Sequence, residues 1–288
     1  MQKKLVSETG TAILFIISSL IAVIMALELE EITPTNPTGN PGAGVGYVIY
    51  FIVAVIVMSA LIIFIARKKK IGILKYVFAI SIAFVIFVVG SLLYALLPIT
   101  YDEYYILTFA TPLVVLYFLL FRQNWIVINI VGILTSAGLA AIWGVDLGAY
   151  SAVILMLVFA VYDYIAVYKT KHMLDIARAS TETEMPLFFV VPDSRGFETS
   201  NIDIDTPGEE RGAILIGFGD IAIPNVMVIS SFLYGGSLFY PFYLLPLVGG
   251  IVAMFVLFSF IKRPAPGLPF LNTGVLIGFG IALLLAHF

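Results

Sequence analysis

Two aspartates lie inside long apolar segments of the chain. Asp163 lies in the run 148–168 (GAYSAVILMLVFAVYDYIAVY), and Asp220 lies in the run 212–233 (GAILIGFGDIAIPNVMVISSFL). An ionisable side chain within a membrane segment is costly, so its presence indicates a functional site. No Lys or Arg lies in the interior of an apolar run to neutralise either carboxylate. We therefore expect the two aspartates to face each other.

A facing pair of carboxylates has a recognisable chemistry. Two carboxylates about 3 Å apart in a low-dielectric setting cannot both ionise, so the pair holds one shared proton, as in the aspartic-protease dyad. One member can then act as a general base on water, and the other as a general acid on the leaving amine. The pattern predicts peptide hydrolysis by direct attack of water, with no acyl-enzyme, no cofactor and no metal ion.

The composition defines the environment of this pair. Of 288 residues, 61% are hydrophobic and only 11% are charged, which is typical of an integral membrane protein. Cysteine is absent, which excludes a thiolate nucleophile and a Cys-based metal site. The net charge of −3 is small for this length and argues against a nucleic-acid partner.

Apolar stretches of roughly 20 residues, the length that spans a bilayer core, predict an all-α polytopic protein. We count nine spans, with eight or ten as alternatives because the turns between the fourth, fifth and sixth are short. The predicted spans are 11–29, 46–66, 74–97, 103–121, 125–143, 148–168, 212–233, 239–261 and 268–287.

The charges in the short loops predict the orientation. Basic residues occur in alternate loops and acidic residues in the others, and the positive-inside rule places the basic loops in the cytoplasm. This predicts a multi-pass protein with a cytoplasmic N-terminus and an external C-terminus. The basic loop residues are Lys3, Lys4, Arg67, Lys68, Lys69, Lys70, Lys75, Arg122, Lys169, Lys171, Lys262 and Arg263.

One long connection divides the chain into three parts. Residues 1–169 hold spans one to six and Asp163, residues 170–211 form a cytoplasmic loop, and residues 212–288 hold spans seven to nine and Asp220. Within the loop, the segment 185–192 (MPLFFVVP) is too short to span and is rich in strand-forming residues. It is either a loop segment at the membrane surface, or an edge strand that covers a site or pairs with an extended peptide.

Local sequence around the two aspartates favours their close approach. A helical rise of about 1.5 Å per residue places Asp163 roughly 9 Å and Asp220 roughly 13 Å below the cytoplasmic boundary. Gly217 and Gly219 stand beside Asp220, and small residues let membrane helices pack closely. Pro224, four residues further on, leaves the carbonyl group of Asp220 without its helical partner.

These residues resemble the motifs of the GxGD intramembrane aspartyl proteases, the presenilins and signal peptide peptidases, and the chain is most similar to their archaeal homologues. The resemblance covers the nine-span layout, the long loop and three motifs: Tyr162-Asp163, Gly217-Phe218-Gly219-Asp220, and Pro266-Gly267-Leu268-Pro269. It implies a presenilin-like bundle with Asp163 and Asp220 as catalytic residues. It also implies that the other motif residues bind substrate or shape the site.

The third motif departs from the family pattern, which has Pro-Ala-Leu where this chain has Pro266, Gly267 and Leu268. Glycine preserves a compact turn, so the resemblance implies the same role. The prolines also suit a simple end of one helix and start of the next. The predicted orientation resembles that of presenilins, which implies single-span protein substrates with an external N-terminus. Whether the protein forms a homo-oligomer is left open.

Other hydrolytic chemistries lack the residues that they need. His172 and His287 are not arranged as H-E-x-x-H ligands, and no predicted span interior holds a His for a serine protease. The remaining alternative is a cation or proton-coupled transporter or channel that uses the same two aspartates. A protease yields two fragments, whereas a transporter yields a gradient-dependent flux.

Overall fold

The computed structural model describes residues 2–32, 41–67, 71–169, 187–193, 212–260 and 266–287. Within these ranges, two five-residue strands accompany eight α-helices. A π-helical turn at Ile165–Lys169 follows the fifth helix, and another at Phe239–Tyr243 precedes the seventh. The strands are β1 (Phe188–Pro192) and β2 (Ala213–Gly217). The helices are α1 (Gln2–Ile32), α2 (Pro41–Arg67), α3 (Ile71–Ala95), α4 (Tyr101–Phe121), α5 (Trp125–Tyr164), α6 (Phe218–Tyr234), α7 (Leu244–Phe260) and α8 (Leu268–Ala286).

Most of these helices suit a membrane. Within the described ranges, six helices are long and apolar enough to cross a bilayer: α1, α3, α4, α5 with the turn after it, α7 with the turn before it, and α8. Helices α2 and α6 carry shorter apolar stretches. The chain is an integral multi-pass membrane protein, as its composition predicts.

Helix α5 contains both the fifth and the sixth predicted spans. Gly148 interrupts it with φ 67° and ψ 166°, a conformation that glycine adopts without a steric penalty. The rings of Trp143 and Phe159 stack with centroids 6.5 Å apart, whereas a straight helix would separate these residues by about 24 Å. The chain therefore reverses at Gly148. We call residues 125–147 the first arm of α5 and residues 149–164 the second arm.

The two strands form an antiparallel pair in which Phe188 lies opposite Gly217 and Pro192 opposite Ala213. The prediction that the run 212–233 is helical from its start is wrong, because β1 takes up the backbone hydrogen bonds of β2 and α6 begins only at Phe218. The helical rise assumed for the predicted depth of Asp220 therefore does not apply to residues 213–217. Most of the predicted loop 170–211 lies outside the described residues.

Helix α8 packs closely against its neighbours in the bundle. Helix α5 packs extensively against α6, and α7 packs against α8. A Cβ atom on Gly278 would overlap the carbonyl oxygen of Leu245, so the backbones of α7 and α8 are in contact there. The Asn272 side chain donates a 2.8 Å hydrogen bond to the carbonyl oxygen of Met156, which ties α8 to the second arm of α5.

Candidate active site

Asp163 is the penultimate residue of the second arm of α5, two residues before the π-helical turn begins. Its side chain is buried, with 3% of its surface exposed. The backbone N–H of Leu268 donates a 3.2 Å hydrogen bond to Asp163 Oδ2. Leu268 is the first residue of α8, so its N–H has no acceptor within the helix and is available to an outside group. The N-terminus of α8 therefore points at the Asp163 carboxyl group, where it favours negative charge.

Asp220 lies in the first turn of α6, three residues after the end of β2. Its carboxyl group folds back towards the strand: a Cβ atom on Gly217 would lie 3.2 Å from Asp220 Oδ2. Gly219 is exposed, and a Cβ atom there would meet no atom of the described ranges within 4 Å. The first glycine of the motif is therefore in contact with the aspartate, whereas the second faces open space.

One dipeptide lies against both carboxyl groups. Leu268 bonds to Asp163, and a Cβ atom on the preceding Gly267 would lie 3.3 Å from Asp220 Cγ. Asp163 and Asp220, which are distant in sequence, thus flank the same turn and line the same cavity. This arrangement brings together two acid groups, one backbone donor and a space for a reacting group.

The cavity beside the aspartates has a volume of about 260 Å³. Its walls are largely apolar, and the stacked rings of Trp143 and Phe159 lie among its lining residues. For comparison, an apolar cavity of about 150 Å³ can hold a benzene molecule. The lining residues are Leu139, Trp143, Phe159, Tyr162, Asp163, Leu187, Phe188, Gly217, Phe218, Gly219, Asp220, Ala222, Ile223, Val226 and Leu268.

Most of the residues singled out in the sequence lie at this cavity. Tyr162, Phe218, Gly219 and Leu268 line it, and Gly267 contacts Asp220 from outside the lining. Pro266 is buried before the turn, and Pro269 is the second residue of α8; neither lines the cavity. Within the described ranges, no three His, Cys, Asp or Glu side chains are placed to hold a metal ion.

The first arm of α5 contributes residues that the motifs did not reveal. Asn129 and Ser136 form hydrogen bonds to β1 and to the start of α6, and Leu139 and Trp143 line the cavity. A signal was present in the sequence, because residues 129, 136 and 143 are seven apart and so share one helix face. Nothing in the sequence indicated what that face contacts.

Comparisons with known proteins bear on the family and the fold of the chain. The family model described as signal-peptide peptidase, presenilin aspartyl protease matches residues 12–288. Two solved structures, both of a presenilin family intramembrane aspartate protease, have the same fold. The one in space group C222 has a TM-score of 0.66 at 22% identity, over 96% of this chain and 97% of that chain. The one in P2 has a TM-score of 0.63 at 24% identity over the same shares. No curated protein matches by sequence.

Proposed function

The chain belongs to the signal-peptide peptidase and presenilin family of intramembrane aspartyl proteases, and on that premise we propose that Asp163 and Asp220 are its catalytic pair. The observation that carries the proposal is the shared turn: both carboxyl groups flank Gly267 and Leu268, and both line one cavity. The substrates are transmembrane segments of other proteins, which enter from the bilayer.

The pair performs the hydrolysis without a covalent intermediate. The ionised aspartate removes a proton from water as the water attacks the substrate carbonyl carbon. The other aspartate, which carries the proton of the pair, protonates the departing amine. The shared proton keeps one member in each role. The Leu268 N–H holds one oxygen of Asp163, so the carboxyl group stays oriented during the reaction.

An extended substrate has a place to pair beside Asp220. Peptide carbonyls are hidden in a helix, and an unwound segment in lipid needs partners for its backbone groups. In the β1–β2 register, Leu215 lies opposite Val190 in a pair without mutual hydrogen bonds, so its N–H and C=O point away from β1. A peptide strand added at this outer edge of β2 would run towards Asp220, with an apolar side chain in the cavity.

The topology follows the charge distribution. We propose nine spans, with the two arms of α5 counted separately, a cytoplasmic N-terminus and an external C-terminus. The alternation of basic and acidic loops in the sequence supports this orientation through the positive-inside rule. In that orientation the aspartates lie in the cytoplasmic half of the bilayer. Substrates with an external N-terminus would present their segments in the matching direction.

The test is cleavage of a single-span substrate by the purified full-length protein in liposomes, read by fragment mass. We expect Asp163→Asn and Asp220→Asn each to lower turnover by at least about 10³-fold, since general acid–base catalysis supplies factors of this order. In water labelled with ¹⁸O, the new carboxyl group should gain one labelled oxygen.

The matched control is Asp146→Asn, which changes an exposed aspartate near the end of the first arm of α5 and outside the cavity. It should cleave like the unchanged protein. Retained cleavage by either active-site variant would refute the assignment of the pair. A folded protein that cuts no substrate but carries a gradient-dependent flux would favour transport instead.

A further inference from the structure

We propose that Asn129 is a positioning residue of this protease. Its carboxamide forms the hydrogen bonds that a third strand would form with β1. Together with Ser136, it fixes the position of the start of α6 against the first arm of α5. This inference rests on the proposed function, because what it positions is Asp220. It concerns two residues that belong to none of the three motifs.

The hydrogen bonds of Asn129 are those of a neighbouring strand. Its Nδ2 donates to the carbonyl oxygen of Val190 at 2.8 Å, and the Val190 N–H donates to its Oδ1 at 2.9 Å. Val190 lies opposite Leu215 in a pair without mutual hydrogen bonds, so both its backbone groups point to the outer edge of β1. All these groups are buried. One side chain thus satisfies both outward groups of the central residue of the strand.

The face of the first arm of α5 that carries Asn129 also contacts the beginning of α6. Ser136 Oγ donates a 3.0 Å hydrogen bond to the carbonyl oxygen of Phe218, the first residue of α6. Between the two polar residues, Gly132 leaves room for two rings: a Cβ atom there would lie 2.7 Å from Phe189 and 2.5 Å from Phe218. The rings themselves meet edge to face with centroids 4.9 Å apart.

This seating determines where Asp220 lies relative to Asp163. Asp220 is two residues beyond Phe218 in α6. Asp163 is on the second arm of α5, the helix whose first arm carries Asn129 and Ser136. The stacked rings of Trp143 and Phe159 hold the two arms together. Both carboxyl groups are therefore positioned from α5, one covalently and one through Asn129 and Ser136. Reacting groups need this accuracy, since a displacement of about 1 Å can lower a rate by 10²-fold.

Asn129 also determines which sheet edge can accept a peptide. With its amide on Val190, the outer edge of β1 is covered at its midpoint. The outward groups of Leu215 on β2 face the other way. The two hydrogen bonds of Asn129 thus leave strand addition to the outer edge of β2, the strand that leads into Asp220.

The experiment compares Asn129→Leu and Ser136→Ala with the unchanged full-length protein in liposomes. Hydrogen exchange of segments 187–193 and 213–220 reports on the seating without any need for activity. We expect faster exchange in both segments for Asn129→Leu, with α7 and α8 unchanged. With substrate, we expect kcat to fall by about 10- to 100-fold and the cleavage position to spread to neighbouring bonds. Ser136→Ala, the milder change, should show the same pattern to a smaller extent.

The matched control is Asn124→Ala, which removes an asparagine cap at the start of the same arm, where Asn124 Oδ1 accepts from the Val127 N–H. It should leave both the exchange of the sheet and the cleavage position unchanged. Unchanged exchange in both Asn129→Leu and Ser136→Ala would overturn the proposal, as would faster exchange with normal kcat and a single cleavage position. If the unchanged protein cuts nothing, the proposed function fails. The exchange measurement still decides whether Asn129 fixes the position of β1, β2 and the start of α6.

Discussion

The two aspartates share one turn, but different kinds of structure hold them. Asp163 lies within a helix, buried, and receives a hydrogen bond from the N-terminus of α8, whose position depends on backbone contact with α7. Asp220 lies at a joint between a strand and a helix, and its surroundings are fixed by hydrogen bonds from the first arm of α5. One side thus depends on close packing, and the other depends on polar contacts. Substitutions can separate the two.

The largest effect is expected where the two sides meet. Leu268 is buried against both the cavity and Asp163. Leu268→Glu should place a third carboxylate beside the pair and lower turnover by about 10²-fold or more, through displacement of the reacting groups. Leu268→Met, which conserves volume and apolarity, should keep most of the activity. Cleavage assays with a folding check by size-exclusion chromatography would measure this. Normal turnover with glutamate would remove Leu268 from the site.

The side that holds Asp163 can be disturbed from a distance. Gly278→Ala places a methyl group against the backbone of α7 at Leu245, and we expect a loss of about 1–3 kcal/mol of stability because backbone cannot move aside as a side chain can. Turnover should fall as the start of α8 shifts. Gly280→Ala on the same helix adds a methyl group that has no neighbour within 4 Å in the described part of the chain, and it should be neutral. Thermal unfolding in detergent would compare them, and equal melting temperatures would contradict the packing argument.

The side that holds Asp220 can be probed at the outer edge of β2. Leu215→Pro removes only the N–H that points away from β1, so the ladder between the strands is kept. Loss of one hydrogen bond to an added peptide, worth about 0.5–1.5 kcal/mol, should raise KM by roughly 2- to 12-fold with little change in kcat. Ile216→Pro, which removes an N–H that pairs with β1, should disturb folding as well. An unchanged KM in Leu215→Pro would argue against strand addition at β2.

The smallest effect is expected at Gly267, where this chain departs from the family pattern. A Cβ atom there would lie 3.3 Å from Asp220 Cγ, a tight contact that a shift of a few tenths of an ångström relieves. Gly267→Ala should therefore change kcat/KM by no more than about fivefold, the equivalent of roughly 1 kcal/mol. A much larger loss would mean that the turn has no freedom to adjust next to Asp220.

The chemistry of the site could be predicted because its signals are local. Asp163 and Asp220 stand out against apolar neighbours, and the glycines around Asp220 lie beside it in the sequence. The reversal at Gly148 was also anticipated, since a break was predicted between residues 143 and 148 and the sixth span was expected to begin at 148.

The rest depended on contacts between distant segments. The sequence AILIG before Phe218 is apolar and suits either a helix or a strand, and only its pairing with β1 decides for the strand. Asn129 lies far in sequence from its partner Val190, and no local pattern reveals such a pair. The nature of the elements around Asp220 was therefore predicted less well than the identity of the aspartate.

The space beside Gly219 bears on the stage of the reaction at which a larger residue at this position would interfere. Among the described residues, no atom lies within 4 Å of the position that its Cβ atom would occupy, so these residues set no steric limit there. If glycine is needed, the limit comes from the visiting peptide, whose backbone would occupy that space next to Asp220. An alanine at this position would then leave the substrate-free enzyme unchanged and would interfere only with substrate binding.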